Sequence, residues 1–170
     1  MGLSLTGEAP SEDDSASAIQ TAYEATDRAY RMAESKIGCL VALALVPAGV
    51  TLDYIVYPEY FAPFLAARLI CDVFIALIFS IHFTEQGREN LPVITFAWLM
   101  AVQVTLCYMI YKTDGYLSTY YAGLNLPILA VGILLPTSVI EAILFCTATT
   151  ILYIITCLAN PSHPVEFSTL

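Results

Sequence analysis

Asp53, Arg68 and Asp72 are the residues whose type and place can do chemistry, because each falls within a long apolar run. An ionisable side chain at the centre of a bilayer costs about 2.5–3.5 kcal/mol on insertion scales, so such residues pair with one another or serve a function. Arg68 and Asp72 are four apart and share one face of a helix. Asp53 lies near the end of the preceding run, and the turn between the runs is short and bracketed by Pro58 and Pro63. That places Asp53 and Arg68 at similar depth. The spacing predicts an Asp53–Arg68–Asp72 cluster facing the interior of a helix bundle. The cluster is a clamp between two helices or an element sensitive to protons or a signal; otherwise Asp53 sits among the lipid headgroups.

A second constellation lies in Tyr120–Pro136, YYAGLNLPILAVGILLP. As a helix it is only about 24 Å long, against roughly 30 Å of hydrocarbon. Pro127 cannot donate to the carbonyl of Gly123, so a kink is expected near 123–127. One reading is a short, tilted membrane helix with interfacial tyrosines. The other is a broken helix whose freed carbonyl and Asn125 amide line a small polar cavity. Trp98, the single tryptophan, either packs in the core or touches a lipophilic ligand. Together Arg68, Asp72, Trp98, Tyr120, Tyr121 and Asn125 are the candidate ligand contacts. Gln103 and Thr105 can hydrogen-bond across helices, but such bonds average well under about 1 kcal/mol, and the two residues read as packing. Ser138 and Glu141 have the spacing of a capping box, with a carboxylate on a proton or ligand pathway as the alternative for Glu141.

Other chemistry lacks its residues. The five cysteines lie in apolar runs with no CxxC or CxxCH spacing, and read as buried inert thiols. His82 ends one run and His163 follows another, on opposite sides of a membrane, which leaves no bis-histidine haem. No Ser/His/Asp arrangement, phosphate-binding glycine loop or zinc motif occurs, so no metal, cofactor or enzymatic activity is expected.

The elements that must hold these residues are membrane helices. Of the 170 residues 58% are hydrophobic and 12% charged, about half the charged share of a soluble domain. The net charge of −9 reflects an acidic N-terminus, which disfavours nucleic acid and anionic lipid. Residues 1–16 read as a disordered acidic tail and 17–36 as a juxtamembrane helix with a weak stripe of Ile19, Tyr23, Thr26, Tyr30 and Ala33. The transmembrane bundle is expected over 37–159, with five apolar runs: 37–57, 62–83, 91–111, 120–135 and 139–159. Residues 160–170 read as a loop or the start of a further helix. The fold class is all-α, a polytopic bundle with five visible spans and a sixth beyond the chain end. Arg28, Arg31, Lys36 and Arg88 against Lys112 place the N-terminus in the cytoplasm.

The run Tyr120-Tyr121-Ala122-Gly123-Leu124-Asn125-Leu126, with Leu52-Asp53-Tyr54, Tyr57-Pro58-Glu59 and Arg68, resembles the N-terminal membrane domain of certain bacterial signalling proteins. Those domains precede a histidine kinase, a diguanylate cyclase or a class III adenylate cyclase. The resemblance covers about residues 35–160. It implies a sensory or anchoring domain of the bacterial inner membrane, without chemistry of its own. The expected function is reception of a small lipophilic signal, with helix packing coupled to a cytoplasmic effector. The expected partners are the lipid bilayer and a second copy of the chain through membrane and juxtamembrane helices. The alternative is an accessory subunit packed against a larger membrane complex.

Overall fold

The computed structural model describes residues 12–133, 135 and 137–160, and all regular structure among them is helical. The chain divides into two compact units, residues 1–30 and 31–170. Helix α1 runs Glu12–Ala48. The part of it within the first unit is exposed, including Ile19 and Tyr23. Its polar side chains serve the helix itself: Thr21 Oγ1 donates to the Ser17 carbonyl and Gln20 Nε2 to Glu24 Oε1. The expected acidic tail overlaps these residues from Glu12 onward; 1–11 lie outside the described residues, as do 161–170 with the start of any further helix.

The second unit is the bundle. After α1 come α2 (Val50–Val56), α3 (Phe61–Ile81), α4 (Glu85–Glu89), α5 (Leu91–Lys112), α6 (Tyr121–Ile133) and α7 (Val139–Ala159). Among the described residues four helical stretches are long and apolar enough to cross a membrane: 19–56, 58–81, 91–112 and 139–159. Helix α6 is apolar but has 13 residues, about 20 Å.

Local sequence sets the breaks. Pro47 removes an N–H from the last turn of α1, and Gly49 separates α1 from α2. Pro58 opens a single 3-10 turn before α3. Thr84 caps α4 by accepting the Gly87 N–H at 3.1 Å. Pro92 sits in the first turn of α5, where its missing N–H costs nothing. Ser138 caps α7: Ser138 Oγ accepts the Glu141 N–H, and the Ser138 N–H reaches Glu141 Oε2 at 2.8 Å.

Helix α5 is the central element and packs on α3, α6 and α7. Its apolar residues surround the whole helix, the pattern of one buried on several sides. Two cores form along it. Phe64, Met109, Ile110, Tyr120 and Leu124 fill one; Cys39, Ile75, Trp98, Leu99 and Phe145 fill the other. The outer faces stay apolar, with Leu52, Ile70, Val73, Leu126 and Ile143 exposed, as a lipid-facing surface requires.

Candidate functional site

Asp53, fully buried, and Arg68, nearly so, meet in a bidentate pair. Arg68 Nε donates to Asp53 Oδ2 at 2.7 Å and Nη2 to Oδ1 at 2.8 Å. Arg68 Nη1 donates to the Val46 carbonyl at 2.9 Å, so one guanidinium spans the break between α1 and α2. Gly49 makes this approach possible, because a Cβ there would overlap three guanidinium atoms. Tyr120 completes the group by donating from Oη to Asp53 Oδ1 at 2.8 Å. Tyr57 stacks on the Tyr120 ring and donates to Asp114 Oδ2, while Phe64 meets that ring edge-on. Each Asp53 oxygen thus has a donor, the condition under which a buried pair is tolerated.

Asp72 stands apart. Its Oδ1 is buried with no hydrogen-bond partner among the described residues. Its relation to Arg68 is electrostatic, without a direct bond. Tyr121 and Asn125 lie on the exposed face of α6. Trp98 is buried, its ring against Gly38, and takes part in a different group. The structure therefore brings Asp53, Arg68 and Tyr120 together, and leaves Asp72, Trp98, Tyr121 and Asn125 elsewhere. Gln103 is fully buried and bridges helices, with Nε2 donating to the Leu124 carbonyl and to Thr149 Oγ1, both at 3.2 Å. Thr105 instead donates to the Ala101 carbonyl of its own helix.

The opposite end of the bundle holds a polar group centred on Ser35. His82 is fully buried at the end of α3. Its Nδ1 lies 2.9 Å from the Ile78 carbonyl, which can only accept, so that nitrogen carries the proton. Nε2 then accepts from Ser35 Oγ at 3.0 Å. With its one proton engaged, Ser35 accepts from Thr95 Oγ1 at 2.9 Å and from Trp98 Nε1 at 3.4 Å. Burial pushes the His82 pKa below the usual histidine range; the Ile78 bond opposes this and the Lys36 charge adds to it. One turn before Ser35, Arg31 Nη2 pairs with Glu141 Oε2, joining α1 to the capping box of α7.

Between α1, α5, the end of α6 and α7 lies a cavity of about 400 Å³. Leu99, Val131, Leu135, Leu144 and Phe145 make its apolar wall, and Arg31, Ser35, Thr95, Thr137 and Glu141 its polar part. The sequence offers little signal for this site. Ser35 and Thr95 are ordinary residues 60 apart, His82 is visible only as a span-ending histidine, and Arg31 reads as one of several basic residues at a membrane entry.

These features define an α-helical membrane domain with two buried polar groups at opposite ends and a cavity beside one of them. The family model MASE8, a family of membrane-associated sensor domains, matches residues 51–169, and the chain belongs to this family. Membership makes it a membrane sensor domain and points to a regulatory rather than catalytic part. No curated protein and no solved structure matches the chain.

Proposed function

We propose that the chain is the membrane sensory domain of a bacterial signalling protein, seated in the plasma membrane with its N-terminus in the cytoplasm. It binds a small lipophilic signal and passes the change in helix packing to a cytoplasmic effector of kinase or nucleotide-cyclase type. A second copy of the chain is its partner through membrane and juxtamembrane helices. The observation that carries this reading is the 400 Å³ cavity, whose occupant would touch α1, α5 and α7 together. Its size lies within the usual range of ligand pockets, about 300–1,000 Å³. The basic residues Arg28, Arg31, Lys36 and Arg88, against Lys112, support the orientation.

In this reading α6 makes a fifth crossing despite its length. The start of α7 pairs with Arg31, while Asn160 at its end donates to the Tyr111 and Thr113 carbonyls at the far end of α5. Tyr120, just before α6, bonds Asp53; Val131, near its end, lines the cavity with Arg31. The test of the function is thermal unfolding of the chain in nanodiscs against a panel of lipophilic compounds. A compound of the right class raises the midpoint, and Ala148→Phe, which fills the cavity wall, abolishes the rise. A panel with no effect, or a rise indifferent to Ala148→Phe, contradicts the reading.

A further inference from the structure

We infer that the cavity takes a single-chain amphiphile with an anionic head group, the head on Arg31 and the chain along Leu99, Val131, Leu135 and Phe145. This rests on the sensory reading above and names the chemistry of its ligand.

The argument starts from what the lining can still offer. The hydroxyls on the wall have used their protons: Ser35 donates to His82, Thr95 to Ser35, and Thr137 to the Val131 carbonyl. The Arg31 side chain is about three-quarters buried, at 25% exposure. One of its nitrogens bonds Glu141, and its fork has no other hydrogen bond among the described residues. A guanidinium carries five N–H donors, so Arg31 is the main donor left facing an occupant. Charges favour an anion as well. Glu141 Oε2 already receives the Ser138 N–H and Arg31, and the N-terminus of α7 adds partial positive charge. Within the cavity lining Arg31 is the one cation and Glu141 the one anion; along α1, Asp27 and Glu34 lie within a turn of Arg31, and Lys36 a turn and a half further on. A carboxylate or phosphate head would form a charge-assisted, fork-matched contact there.

Size and depth fit the tail. The volume lies near the lower end for ligand pockets, the scale of a single chain. Arg31 is 22 residues before Asp53, about 33 Å along a helix, so the two polar groups sit near opposite faces of the hydrocarbon. The head would then lie at the headgroup level while the chain replaces lipid contact with the apolar wall. A free fatty acid and one chain of an anionic phospholipid share this chemistry.

The single tryptophan supplies the test, since Trp98 bonds Ser35 on the cavity wall. The full chain in phosphatidylcholine nanodiscs is titrated with dibrominated stearate, and separately with dibrominated stearyl alcohol, while Trp98 fluorescence is read. Stearate should quench saturably and the alcohol should bind about tenfold more weakly, the size of one charge-assisted bond. Arg31→Gln should bring stearate down to the alcohol, and Arg31→Lys should keep most of its advantage. Glu141→Gln, which preserves the capping box, should tighten stearate binding by freeing the guanidinium. A third arm uses a chain-brominated phosphatidylglycerol. Saturable quenching there that is lost in Arg31→Gln, without an effect of stearate, assigns the same site to a bilayer lipid. Equal binding of acid and alcohol, unchanged by Arg31→Gln, overturns the head-group inference and leaves the lipophilic signal standing. No saturable quenching in any arm, with Ala148→Phe identical to the native chain, overturns both.

Discussion

Arg68 makes three hydrogen bonds, two to the Asp53 carboxylate and one to the Val46 carbonyl. Arg68→Ala leaves Asp53 desolvated with Tyr120 as its remaining side-chain donor. Breaking a buried pair from one side costs about 3–5 kcal/mol. We expect that loss in thermal or denaturant unfolding in detergent, and partial recovery when Asp53 and Arg68 are both replaced by apolar residues. An absence of coupling in the double-mutant cycle removes the pairing. His82 gives a pH dependence whose sign is fixed by its burial. Its folded-state pKa lies below the unfolded value of 6.5, so its contribution is fully present above that value and is lost as pH falls through the folded pKa. The groups facing it are Ser35 and the cationic Lys36 on α1 and Phe79 on its own helix. The unfolding midpoint in nanodiscs should fall on acidification from pH 8 to about 5, and His82→Asn should flatten that fall. Proximity of Asp53 and Arg68 was legible from depth and a short turn. Separation of Asp72 was not, because the helical spacing that brings residues four apart together does not show that the Arg68 fork is already filled by Asp53 and the Val46 carbonyl. The Arg68 guanidinium lies against Gly49. Tyr120 carries no local sign of its bond, which closes over 67 residues.

Among the elements, the long helices were readable because each apolar run has Pro, Gly or a cap at its ends, and these act locally. The Ser138–Glu141 cap is such a local signal. Helix α6 resisted reading because its polarity is turned outward. Its Tyr121 and Asn125 are exposed, while the buried polar contact to it comes from Gln103 on α5, reaching the Leu124 carbonyl. Nothing in the spacing of 120–136 announces that partner. The crossing proposed for α6 has a direct chemical consequence. Val139 and Leu117 are both exposed and flank it. In intact cells a membrane-impermeant maleimide should label Leu117→Cys and spare Val139→Cys until the membrane is permeabilised. Labelling of both from outside would make α6 re-entrant and leave four crossings.

At the scale of the molecule, composition and hydropathy led to a membrane bundle, and the family places it among membrane sensor domains. The cavity was hidden because its walls come from four helices and its polar rim from side chains distant in sequence. The central claim is that an occupant there changes how α1 packs on α7, where Arg31 and Glu141 now hold them together. The most direct measurement is an electron–electron distance between nitroxides on unnatural amino acids at Ala33 and Ile140, both exposed, with the native cysteines intact. In nanodiscs the account predicts one distance distribution without ligand and a displaced one at saturation with a compound that raises the unfolding midpoint, the displacement vanishing in Ala148→Phe. An unchanged distribution at saturation would contradict it.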